Sequence, residues 1–166
     1  MVLVYLSAPI IQKASRKDEF CNRVVDVLED MGHTVFAPQF LDPAEPEVIY
    51  RRDVYNVRMC DFLTTEVSTP SLGVGMEIML AIELMKPILM FYNGDIESLS
   101  KMVRGADCKV LIQYTTLDEV EKKLQSHNLE DLIVQTCPVC DSQVAEAVDD
   151  YLKCLGCGSG GQNFKV

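Results

Sequence analysis

Along most of this chain, short apolar runs alternate with stretches whose apolar residues recur at helical spacing, and that alternation admits few folds. Val2 to Leu6 reads as a buried strand. Ser15 reads as a helix cap, with Asp18 as its capping-box partner; Phe20, Val24, Leu28 and Met31 continue that helix and Gly32 ends it. Thr34 to Ala37 is a second strand, and Pro38, Pro43 and Pro46 mark a loop before a polar helix over residues 47–60. Phe62 to Val67 is a third strand. Gly73 to Met85 follows as a helix that is apolar on most sides, which predicts that it is well buried. Pro87 to Tyr92 and Val110 to Tyr114 complete the strands, separated by a short helix over 96–103; Leu117 to Gln125 is a charged surface helix. The expectation is an α/β fold, a flavodoxin-like (Rossmann-like) five-stranded parallel sheet in the order 2-1-3-4-5. Ligands of such sheets bind at the carboxyl ends of the strands, at the switch point between strands one and three.

After Asn128 the alternation stops. The chain therefore divides into an α/β domain, residues 1–128, and a linker with a zinc ribbon, residues 129–166. The ribbon is read from Cys137-Pro-Val-Cys140 and Cys154-Leu-Gly-Cys157, two C-x-x-C knuckles thirteen residues apart. A two-residue spacer lets both thiolates of a knuckle reach one tetrahedral ion, and Gly156 and Gly158 permit the tight second turn. Four cysteines leave no open coordination position, so Zn2+ here is expected to be structural. Cys21, Cys60 and Cys108 read as core residues.

A net charge of −10 argues against a nucleic-acid partner, which needs clustered Lys and Arg. No apolar run approaches the roughly 20 residues of a membrane span, and MVLVYLSAPI lacks the basic start of a signal peptide. A cytoplasmic protein is expected, and its seven cysteines are not a disulfide framework.

The chemistry concentrates in Ser68-Thr-Pro-Ser-Leu-Gly-Val-Gly-Met-Glu-Ile78. Ser71 and Gly73 precede the apolar helix and suit an anion held by a hydroxyl and backbone N–H groups. Glu77 reads as a first-turn carboxylate, kept ionised by the helix N-terminus. Asp53 lies on the preceding helix. Two carboxylates with separable roles suit glycosidic chemistry: one attacks the anomeric carbon, the other handles the leaving group's proton. A first-turn Glu that merely complements the helix dipole, and a surface Asp53, explain the same residues. Arg104 reads equally as a phosphate partner or a dipole complement, and His33 and His127 as surface or turn residues.

Arg52-Asp53, Asp61, Glu66-Val67 and Pro70-Ser-Leu-Gly-Val-Gly-Met-Glu77 together resemble the nucleoside 2-deoxyribosyltransferase superfamily, and more closely its branch of 2'-deoxynucleoside 5'-monophosphate N-glycosidases. The resemblance spans about residues 1–125. It implies that Glu77 is the nucleophile of a covalent deoxyribosyl-enzyme, that Asp53 protonates the departing base, and that Tyr5 orients Glu77. It further implies that Ser71, Gly73 and Gly75 hold the 5'-phosphate of a small-molecule nucleotide, with Ser100 reaching it from the second subunit of a homodimer with a shared active site. Where the family's first loop has Gly-Ser-Ile, this chain has Ala8-Pro9-Ile10; Pro9 has neither hydroxyl nor N–H, and Ser7 is the candidate replacement. Transfer of deoxyribose between bases, and a non-catalytic nucleotide-binding module, are the alternative readings.

Overall fold

The computed structural model describes residues 1–10 and 16–161. β1 (Leu3–Ser7) is followed by α1 (Asp18–Asp30), β2 (Thr34–Phe36), a short turn of helix at Pro38–Phe40, and α2 (Pro46–Met59). β3 (Phe62–Glu66), α3 (Leu72–Glu83), β4 (Ile88–Tyr92), a helical turn at Ile96–Ser98, α4 (Lys101–Arg104), β5 (Lys109–Gln113) and α5 (Leu117–Gln125) complete the α/β part. The sheet is parallel throughout, in the order β2-β1-β3-β4-β5, as the alternation predicts.

The side-chain period of two in each strand divides the core between the faces of the sheet. Val4, Leu6, Phe62, Leu89 and Phe91 pack with Phe20, Val24 and Leu28 of α1 and Val120 and Leu124 of α5. Tyr5, Leu63, Ile88 and Met90 point the other way, against Val57 of α2 and Val74, Ile78 and Ala81 of α3. Tyr5 and Ser7 therefore both face the α2/α3 layer, and this parity positions the site below.

Several local expectations need correction. Lys17, not Ser15, stands at the N-cap of α1, without a side-chain cap; Ser15 lies outside the described residues. The expected helix over 96–103 is broken at Leu99, whose buried side chain is anchored in the core, with α4 restarting after Ser100. The largest departure is α3. Only Val74, Ile78 and Ala81 are buried, while Leu72 is 91% exposed and Met76 60%. One stripe of α3 meets the sheet and α2, and among the described residues nothing covers its outer apolar stripe.

The C-terminal part is an antiparallel sheet of β6 (Leu132–Val134), β7 (Val144–Val148), β8 (Tyr151–Cys154) and β9 (Gly160–Gly161). It is keyed into the α/β part. Val144 and Leu155 are fully buried in the same cluster as α1 and α5. Gln143 donates its N–H to the Lys109 carbonyl at 2.7 Å and accepts the Cys108 N–H at 2.8 Å. His127 stands in the bend after α5, as a turn residue would, but not at the surface: its side chain is 6% exposed and bonds Glu146 Oε1 at 3.0 Å. His33 is likewise buried. Cys21, Cys60 and Cys108 are core residues as expected. Among the described residues, no helix is long and apolar enough to cross a membrane.

Candidate functional site

At the carboxyl end of β1, Tyr5 and Ser7 converge on Glu77 of α3. The Tyr5 hydroxyl donates to Oε1 at 2.7 Å, and the Ser7 hydroxyl donates to Oε2. Both donors come from one strand because residues two apart share a face. Glu77 stands in the second turn of α3, whose first turn contains no acidic residue. The expectation of a first-turn Glu kept ionised by the helix end is thus corrected. Burial instead pushes the Glu77 carboxyl above the usual carboxylate range, against the hydrogen bonds from Ser7 and Tyr5, which hold it down; the charge of Asp53 adds to the upward push. Burial and the Glu77 charge push the Tyr5 phenol up as well, so it remains a protonated donor.

Asp53, on α2, is mostly buried and pairs with Arg52 Nε at 2.8 Å. The Arg52 guanidinium lies 5.9 Å from the centre of the Phe36 ring, and that ring packs against Tyr5 at 5.4 Å. β2, β1, α2 and α3 thereby bring two carboxylates, a phenol and a hydroxyl together beside an aromatic wall. Such a set can hold one carboxylate ionised against an electrophilic carbon while the second manages a proton.

The other predicted residues fall elsewhere. Ser71, at the N-cap of α3, Gly75 and Ser100 line a cavity of about 590 Å3 on the α4 side of α3, together with Ile78, Met79 and Met102. Glu77, Asp53 and Tyr5 are not among its lining residues, and Gly73 is exposed beside it. Ser7, expected to replace the donor lost at Pro9, spends its hydroxyl on Glu77 instead. Arg104 forms a two-pronged pair with Glu97, at 2.8 and 3.1 Å. Phe36 carries no site signal in the sequence, whereas Arg52 stands in the Arg52-Asp53 motif quoted above and pairs with that carboxylate. The alternation in β1 carried the signal for Ser7, whereas the Phe36–Arg52 contact joins segments with no shared pattern.

The second cluster is the four cysteines. Cys137, Cys140, Cys154 and Cys157 place their Sγ atoms within 4.8 Å of one another, with 3.7 Å between Cys137 and Cys157 and 3.6 Å between Cys140 and Cys154. Four sulfurs at about 2.3 Å from a tetrahedral zinc are about 3.8 Å apart, so the set fits a metal ion. The N–H groups of Val139 and Gly156 donate to the first sulfur of each knuckle, at 3.4 and 3.2 Å. A Cβ on Gly156 would meet Ser142 Cβ at 2.9 Å and Cys140 Sγ at 3.2 Å, which explains the glycine. Gly158 turns with φ of +73°.

The profile of the nucleoside 2-deoxyribosyltransferase family matches residues 4–135, ending before the first knuckle. A Thermofilum pendens protein assigned as a 2'-deoxynucleoside 5'-phosphate N-hydrolase is 32% identical over 133 residues, covering 74% of this chain and 92% of that protein. The 5-hydroxymethyl-dUMP N-hydrolase of Danio rerio is 40% identical over 107 residues, covering 61% of this chain and 68% of its own. Among solved structures, the CMP N-glycosidase of Clostridium botulinum superposes with a TM-score of 0.61 at 21% identity, over 75% of this chain and 99% of that one. A 2-deoxyribosyltransferase from Bacillus psychrosaccharolyticus gives 0.59 at 19% identity, over 77% and 93%. These two share the fold.

Proposed function

Because this chain belongs to the nucleoside 2-deoxyribosyltransferase family, we propose that it hydrolyses the N-glycosidic bond of a deoxynucleoside 5'-monophosphate, releasing free base and deoxyribose 5-phosphate. The observation that carries this reading is the Glu77 carboxylate fixed by Tyr5 and Ser7, with Asp53 close enough for its charge to act on it. In this mechanism Glu77 attacks the anomeric carbon as the bond to the base breaks, giving a glycosyl ester on Glu77. Asp53 delivers a proton to the departing base. The resulting Asp53 carboxylate takes a proton from water, whose oxygen attacks the anomeric carbon and breaks its bond to the Glu77 carboxylate, which is freed. Tyr5 and Ser7 hold the carboxylate in place through the cycle.

Ser71, Gly73 and Gly75 are assigned to the 5'-phosphate. Ser100 is assigned to the partner's phosphate site in a homodimer, as the family resemblance implies. The uncovered stripe of α3, with Leu72, Met76 and Met79 exposed, supports a second copy on that face. Zinc held by Cys137, Cys140, Cys154 and Cys157 would clamp the C-terminal sheet and supply no catalytic group. Seven free cysteines suit the reducing cytoplasm.

The test is a comparison of all common deoxynucleoside 5'-monophosphates, and the corresponding nucleosides, for released base. Monophosphates should be preferred about a hundredfold in kcat/KM, about 2.7 kcal/mol. Equal use of nucleosides, with turnover accelerated by a second free base, would make the chain a transferase. Nucleotide binding without any base release would make it a binding module.

A further inference from the structure

The Glu66 carboxylate belongs to none of the machinery above. Glu66 ends β3 at the carboxyl edge of the sheet and has no solvent exposure. A charge buried there is costly unless fully partnered. Its partners come from separate segments. The Ser68 N–H donates to Oε2 at 3.2 Å, and the Ser68 hydroxyl donates to Oε1. The Tyr114 hydroxyl, just beyond β5, donates to Oε1 at 3.1 Å, and Lys17 Nζ, at the start of α1, lies 3.7 Å from the same oxygen. The Ser68 oxygen in turn accepts the Asn93 N–H at 2.7 Å, just beyond β4. One carboxylate thus ties together the segments that follow β3, β4 and β5 and the start of α1.

Glu146 shows that a buried carboxylate can serve the fold alone: it joins His127 and Asn128, just beyond α5, to Lys153 of the C-terminal sheet. Glu66 differs in where its partners lie. They stand at the substrate end of the strands, and Ser68 opens the segment that leads through Ser71 into α3.

We propose that Glu66 is a positioning residue: by gripping Ser68 it sets the 68–71 segment, and hence Ser71 and the first N–H groups of α3, against the substrate's phosphate. This rests on the monophosphate reading above. Glu66 touches no substrate and acts through Ser68. The chemistry requires a carboxylate. Donors converge on both oxygens, so an amide would turn its own N–H2 group against one of them. An apolar side chain would strand the Ser68 N–H, the Tyr114 hydroxyl and the Lys17 ammonium without an acceptor.

The experiment measures kcat and KM for a deoxynucleoside 5'-monophosphate and its nucleoside in wild type, Glu66→Gln and Ser68→Ala. The preference for the monophosphate should fall about tenfold in both variants, about 1.4 kcal/mol. The loss should appear chiefly as a higher KM for the monophosphate, with nucleoside cleavage little changed. A role in folding alone would lower both substrates alike. Should Glu66→Gln fail to fold, Ser68→Ala carries the test, since it removes only a half-buried hydroxyl. A wild type that discriminates, with the preference intact in the variants, overturns the inference. A wild type that does not discriminate overturns the monophosphate reading, and this inference with it.

Discussion

Glu77 is held in a state that its own burial opposes. Burial raises its carboxyl, the hydrogen bonds from Ser7 and Tyr5 lower it, and the Asp53 charge raises it again. A nucleophile must be ionised, so base release should fall as pH drops through a value above that of an ordinary Glu. Tyr5→Phe removes one stabilising donor and should move that acid limb to higher pH; a pH profile of kcat/KM in wild type and variant checks it. The same imbalance affects stability. With the folded value raised, the unfolded chain binds fewer protons between the two values, so stability falls as pH rises through that window. Glu77→Gln keeps both contacts, because the Ser7 hydroxyl can accept as well as donate, and it should abolish base release. Its melting temperature should exceed that of wild type at pH 7, and the gap should close at pH 4. Loss of turnover by about a thousandfold or more, about 4 kcal/mol, is expected in Glu77→Ala.

At the scale of elements, the strands and their order were legible because a period of two in short apolar runs, interrupted by helical spacing, has few other solutions. The pairing of Tyr5 with Glu77 was legible only through resemblance. The exposure of α3 was not legible: a helix that is apolar on most sides reads the same whether its own chain or another covers it. Leu155 was hidden for a different reason. It lies between two knuckle cysteines, where no periodicity marks it as core, yet it is fully buried among α1 and α5 residues. Leu155→Ala should therefore cost about 3 kcal/mol in the denaturant unfolding of the α/β part, measured through a probe in α1 or α5. An independently folding ribbon would instead melt alone and leave that transition unmoved. Chelation should act in the same direction, lowering the melting temperature of the whole chain, with about one zinc released per chain.

At the scale of the molecule, the proposed site is divided within one chain. Glu77 with its donors lies on one side of α3, while Ser71 and Ser100 share a cavity on the other. The outer stripe between them is apolar and uncovered, with Met76 at 60% exposure and Met79 at 49%. Exposed methionines at helical spacing are poor solvent-facing residues and good packing residues for a second copy. A two-fold axis through this face would bring each chain's α4 segment toward the partner's α3. Met76→Lys should then convert the protein to monomers, seen by sedimentation, and reduce base release although the Glu77 cluster is untouched. The sharper test mixes two impaired chains, Glu77→Ala and Ser100→Ala, unfolded and refolded together. If Ser100 serves the partner, one site of each hybrid combines an intact Glu77 with an intact Ser100, and the other lacks both. Random pairing makes about half of the dimers hybrids, so about a quarter of all sites should recover. If Ser100 serves its own chain, each hybrid site lacks one group and mixing restores nothing. Recovery that follows the hybrid fraction as the mixing ratio is varied would establish a site built from two chains.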